Sequence, residues 1–132
     1  MLESFGPYII EGELGSGGMG VVYRARHVEL DRAVALKILK ESAAGTTRVR
    51  ERFHREALAA ARLRHPGIVE VYDAGMVGDT PYIALELVDG EPLDFQPHPL
   101  RRRVELLAEI AAAVAHAHTH GVVHRDLKPG NI

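Results

Sequence analysis

Near the end of the chain, His124-Arg125-Asp126-Leu127-Lys128-Pro129-Gly130-Asn131 gathers an imidazole, two cations, a carboxylate and a side-chain amide into eight residues. Pro129 and Gly130 cannot continue a helix and favour a turn, so these groups belong on a loop held by the element before it. The residue types suit phosphoryl transfer. Asp126 can accept a hydroxyl proton, Lys128 can neutralise a transferring phosphoryl group, and Asn131, five residues after Asp126, offers a side-chain oxygen to Mg²⁺. The plain alternative is a helix-ending turn with incidental charges.

Two further stretches suit an anionic ligand. Tyr8-Ile9-Ile10 and Val21-Val22-Tyr23 are short β-prone runs, and Gly15-Ser16-Gly17-Gly18-Met19-Gly20 lies between them as the tip of a hairpin. Glycines let backbone N–H groups approach a polyphosphate with no side chain in the way. The same glycine spacing opens Rossmann units, but there it feeds a helix, whereas here it continues into strand-like Val21-Val22-Tyr23-Arg24. Next, Ala33-Val34-Ala35-Leu36-Lys37-Ile38-Leu39 sets one lysine in an apolar strand. An inward-facing Lys37 needs an anionic partner, while an outward one would be an edge-strand device against aggregation.

The intervening segments supply the elements that position these groups. From about Thr46 to Leu63 the pattern is helical, with Phe53, Ala57, Ala60 and Ala61 near one face and arginines around the others. Those arginines read as a solvated face, with partner docking as the alternative. His65-Pro66-Gly67 ends the helix. Ile68 to Tyr72 and Tyr82 to Val88 read as strands joined by a turn at Gly78-Asp79-Thr80. A proline-rich connector over residues 89–99 leads to a second helix from about Leu100 to His120, which Gly121 ends. His116, His118 and His120 alternate along it and fan out instead of converging on a metal.

Taken together, these motifs resemble the protein kinase superfamily, specifically bacterial serine/threonine protein kinases, and the resemblance covers the entire chain. His124 to Asn131 is similar to the catalytic loop, and Leu127-Lys128-Pro129 to its serine/threonine-specific form. The resemblance implies an α+β fold: a kinase-like N-lobe over residues 1–88, with a five-stranded antiparallel sheet and one helix, a hinge and connector over 89–99, and a partial, helical C-lobe over 100–132. It implies ATP and Mg²⁺ as cofactors and a protein Ser/Thr hydroxyl as acceptor.

By the same resemblance, Leu14 and Val22 cover the base, Gly15, Ser16, Gly17, Gly18, Met19 and Gly20 lie over the phosphates, and Ala35 touches the adenine. Lys37 holds the α- and β-phosphates and is oriented by Glu56, with Glu51 as the rival acid. Against this, Glu56 lies four residues after Arg52 and could simply form a surface pair with it. Leu85 is the expected gatekeeper, and the backbone of Glu86, Leu87 and Val88 hydrogen-bonds the adenine. Asp126 is the base, Lys128 offsets charge, Asn131 is the metal ligand, and Arg125 is a docking point for a phosphorylated activation loop.

Composition narrows the function classes. The chain has 132 residues, a net charge of −2 and no cysteine, which gives no nucleic-acid footprint and excludes disulfides and thiolate metal sites. No segment approaches the roughly 20 apolar residues of a membrane helix, and the reading is a cytoplasmic protein. The 132 residues contain neither the Asp-Phe-Gly that carries the principal Mg²⁺ ligand nor Ala-Pro-Glu, so phosphoryl transfer by this chain alone is expected to be negligible. Leu107, Ile110 and Val114 on the second helix are expected to expose apolar area and favour self-association. The alternative function is a non-catalytic module that binds nucleotide or a partner.

Overall fold

Alternation sets the central strand: in Arg32–Leu39 (β4), Val34 and Leu36 are buried on one side, and Ala33, Ala35 and Lys37 point to the other. The computed structural model describes residues 3–17, 20–40 and 47–122. Around β4 an antiparallel sheet is built from Glu3–Phe5 (β1), Tyr8–Ser16 (β2), Gly20–His27 (β3), Val71–Val77 (β5) and Thr80–Glu86 (β6), in the order β1-β2-β3-β4-β6-β5. Thr47–Ala61 forms α1 and Leu100–Thr119 forms α2.

The sheet thus has one strand beyond the five expected. Glu3–Phe5 is too short to carry an alternation signal. It forms by pairing with Tyr8, Ile9 and Ile10 across a turn in which Gly6 takes φ +54°, and Phe5 sets its ring edge-on against Tyr82 at 5.7 Å. The strand after α1 begins at Val71 instead of Ile68. Ahead of it, Glu70 bonds Glu86 twice: its carbonyl accepts from the Glu86 N–H at 2.8 Å, and its own N–H donates to Glu86 Oε2 at 3.1 Å.

One sheet face carries the larger core, made of Tyr8, Ala25, Val34, Leu36, Tyr82 and Ala84, with Phe5, Ile38, Tyr72 and Val77 packed against it. Burial of these rings and branched chains is the main favourable term for this unit. A polar thread runs through it. Tyr82 donates its hydroxyl to Asp73 Oδ2 at 2.9 Å, and the Arg32 guanidinium lies 4.0 Å over the Tyr72 ring. Burial, and then the Asp73 carboxylate, push both Tyr8 and Tyr82 above the ordinary tyrosine pKa. On the other face, α1 buries Phe53 against Leu39, with Val49 and Ile83 alongside.

Two units divide the chain: Met1–Arg62 with Glu70–Val88, and Leu63–Val69 with Asp89–Ile132. In the second, Ala113 of α2 is buried and Gly67 comes so close that an added Cβ would stand 3.0 Å from Ala113 Cβ. Arg103 ties the connector to the first turns of α2, donating to the carbonyls of His98 at 2.8 Å and Gln96 at 3.1 Å. Leu100, Val104 and Leu107 remain more than half exposed, whereas Ile110 and Val114 are half-buried, so the expected exposed stripe lies nearer the start of the helix. Gly121, at φ +78°, ends it.

Candidate nucleotide site

Strand register decides which of the expected residues share a surface. Lys37 sits across from Val22 on β3 and Ile83 on β6, and Ala35 across from Leu85 on β6. Directly opposed residues project to the same side, as do residues two apart, so Val22, Ala35, Lys37, Ile83 and Leu85 lie on one sheet face. Gly15, opposite Val22, brings the glycine hairpin to that same side. The result is a floor of Val22, Ala35, Ile83 and Leu85 with Lys37 at one end and the exposed Arg24, opposite Ala35, on the same face. Ala35 and Lys37 are two strand residues apart, roughly 7 Å, which suits a flat base joined to a string of phosphates.

Lys37 is half-buried between hydrocarbon neighbours and, among the described residues, makes no ion pair. An ammonium so placed gains from an anionic ligand. The glycines differ in their reasons. A Cβ on Gly20 would stand 2.6 Å from the Ile38 carbonyl oxygen, so the β3–β4 pairing itself demands glycine. A Cβ on Gly15 or Gly17 would meet nothing within 4 Å. Gly12 is equally open, so openness acquires meaning only beside the cation and the apolar floor. The hairpin closes with the Gly17 N–H donating to Gly20 O at 2.9 Å, and Ser16 ends β2. Leu14, in the irregular pairing between Glu13 and Gly15, is half exposed beside it. Gly18 and Met19 lie outside the described residues, as do Asp126, Lys128, Asn131 and the rest of the expected catalytic loop.

Glu56 is not brought to Lys37. It accepts from Arg52 Nε at 3.1 Å on the exposed side of α1, with 63% of its side chain in solvent. The cause is helical phase: Phe53 and Ala57 face inward, and Glu56, adjacent to Ala57, is carried outward with Arg52. Glu51 is exposed as well. At the end of β6, the Glu86 N–H is taken up by Glu70, while Leu87 and Val88 follow outside the strand and Val88 is 61% exposed. The sequence did not single out Ile83, which completes the floor beside Lys37; its place follows from register alone.

A curled antiparallel sheet with one packed helix, a glycine hairpin and an apolar strand bearing one half-buried lysine define a kinase-type N-lobe. The comparisons agree: residues 8–132 match the protein kinase domain, and the chain belongs to that family. It is 43% identical over 131 residues to serine/threonine-protein kinase pkn3 of Myxococcus xanthus, covering 95% of this chain and 24% of that protein. To PrkC of Bacillus subtilis it is 42% identical, covering 96% of this chain and 20% of that protein. The crystal structure of the Mycobacterium tuberculosis PknI kinase domain superposes with a TM-score of 0.79 at 34% identity, covering 98% of this chain and 55% of that one. The chain therefore spans about a fifth to a quarter of these curated relatives and about half of a kinase domain.

Proposed function

We propose that this chain is the ATP-binding portion of a serine/threonine protein kinase. The observation that carries the reading is Lys37, half-buried and unpaired among the described residues, on the same sheet face as Val22, Ala35 and Leu85. Val22, Ala35 and Leu85 would bind the base by contact and exclude water, and the backbone of Glu86 to Val88 would bond its edge. Leu14 would cover the base with Val22, and the glycine hairpin, Gly15 to Gly20, would cover the phosphates, with Lys37 on the α- and β-phosphates. Asp126 would orient the acceptor hydroxyl and take its proton, and Lys128 would offset charge on the moving phosphoryl group. Asn131 would offer a side-chain oxygen to Mg²⁺, which would supply charge neutralisation for the moving phosphoryl group. In this reading Glu56 must leave Arg52 to reach Lys37. That is a cheap exchange, since an exposed i,i+4 pair contributes about 0.3–0.5 kcal/mol.

Among the described residues no helix is long and apolar enough to cross a membrane. A cytoplasmic location and self-association through the exposed apolar stripe of α2 belong to the same proposal. The outward Glu56 favours a second reading, a nucleotide- or partner-binding module without transfer. Titration with ATP, ADP and adenosine, with and without Lys37→Met, tests the site. The expected result is that Lys37→Met weakens ATP and ADP but leaves adenosine nearly unchanged. Equal ATP binding by both proteins would overturn the reading. Transfer by a longer protein containing these residues, lost on Asp126→Asn, would separate kinase from binding module.

A further inference from the structure

We propose that His116 and His120, at the C-terminal end of α2, form a two-ligand site for a borderline divalent transition cation such as Zn²⁺ or Ni²⁺. The site is independent of the nucleotide reading and of Mg²⁺. Their i,i+4 spacing puts both side chains on one helix face, the separation by which helices present paired zinc-binding histidines. The ring centroids are 4.5 Å apart with a tilt of 39°. Two imidazole nitrogens on one tetrahedral zinc, each at about 2.0–2.1 Å, stand about 3.3 Å apart, a separation of the same order as that of these rings.

The hydrogen bonds assign the free lone pair. His120 Nδ1 lies 2.9 Å from the His116 carbonyl oxygen. A carbonyl only accepts, so Nδ1 carries the proton and Nε2 of the neutral ring is left to ligate; liganding histidines are commonly held by such a bond. His116 Nε2 is buried and, among the described residues, has no hydrogen-bond partner; a cation is one way to satisfy it. His65 plays a different part. Its Nδ1 accepts from the Gly67 N–H at 2.9 Å, which leaves the proton on Nε2 and makes the ring a wall, 5.2 Å from His116, instead of a third ligand. Among the described residues no three ligating groups converge, so water would complete the coordination shell. His118, two residues from either ligand, points to another side of the helix. Imidazole donors select Zn²⁺, Ni²⁺ or Cu²⁺ over the hard cations.

The test is equilibrium binding of Zn²⁺ and Ni²⁺ to the chain and to His116→Ala, His120→Ala, His118→Ala and His65→Ala, with helix content checked by circular dichroism. The expected result is that the first two lose more than about tenfold in affinity and the last two stay near the original value. In the unaltered chain, Ni²⁺ should broaden the ring resonances of His116 and His120 first, a readout that needs no variant. No binding by the unaltered chain, undiminished binding by His120→Ala, losses as large for His118→Ala or His65→Ala, or broadening centred on other histidines would each overturn the assignment.

Discussion

Replacing the hairpin glycines one at a time should separate those the fold requires from those a ligand would require. In Gly20→Ala the new methyl group would sit 2.6 Å from the Ile38 carbonyl oxygen, on the backbone of a paired strand that has little room to retreat. Overpacking of this kind costs about 1–3 kcal/mol, and the stiffer unfolded chain returns about 0.4–1 kcal/mol. The net loss should be about 1–2 kcal/mol. In urea, with a slope of about 2 kcal/mol per molar, the unfolding midpoint should fall by about 0.5–1 M. Gly15→Ala and Gly17→Ala meet nothing within 4 Å and take no left-handed φ, so only the unfolded-state term remains and their midpoints should hold or rise. Both should nonetheless weaken ATP, because the added methyl group stands where the phosphates would approach. A Gly20→Ala midpoint equal to the original, or Gly17→Ala falling as far as Gly20→Ala, would refute the reasoning.

Lys37→Met should weaken ATP about 10- to 150-fold, the worth of one charge-assisted hydrogen bond, while leaving stability unchanged or slightly higher because a half-buried ammonium with no ion pair among the described residues is removed; calorimetric titration and urea melts check both. Leu36→Ala, at a fully buried position in the larger core, should cost about 2–5 kcal/mol in the same melts. Tyr82→Phe deprives the Asp73 carboxylate of its hydroxyl donor and should cost about 1–3 kcal/mol. Because the folded state raises the pKa values of Tyr8 and Tyr82 above 10.0, their contribution is full below that pH and is lost as pH climbs beyond it; Tyr82→Phe should flatten that alkaline decline. A polypeptide of these 132 residues, which contain no Asp-Phe-Gly, should transfer phosphate at background rates, and robust transfer abolished by Asp126→Asn would count against this.

Much of the fold was legible because its signals are local. Runs of apolar, β-prone residues located β4 and β6, 3.6-residue periodicity placed both helices within two residues of their observed ends, and glycine chemistry marked the hairpin and the stops at Gly78 and Gly121. What was missed depends on partners distant in sequence. Glu3–Phe5 becomes a strand only because β2 offers it an edge, and the strand start slips from Ile68 to Val71 where Glu70 and Glu86 bond each other. Alternation also hid a pair: His116 and His120 share a helix face, and a loop residue, His65, joins them.

The sequence by itself determined the family, because glycine loop, strand lysine, helix glutamate and catalytic-loop residues are chemical types in a fixed order, readable without coordinates. It also determined what the 132 residues lack, since the absence of Asp-Phe-Gly is a fact of composition. Only the tertiary structure decided which residues meet. Strand register placed Val22, Ala35, Lys37 and Leu85 on one face and added Ile83, and the phase of α1, set by burial of Phe53 and Ala57, turned Glu56 to solvent and to Arg52. Register and phase are fixed by packing between segments far apart in the chain, where the gain from burying Phe53 and Ala57 outweighs the few tenths of a kcal/mol held in a surface ion pair.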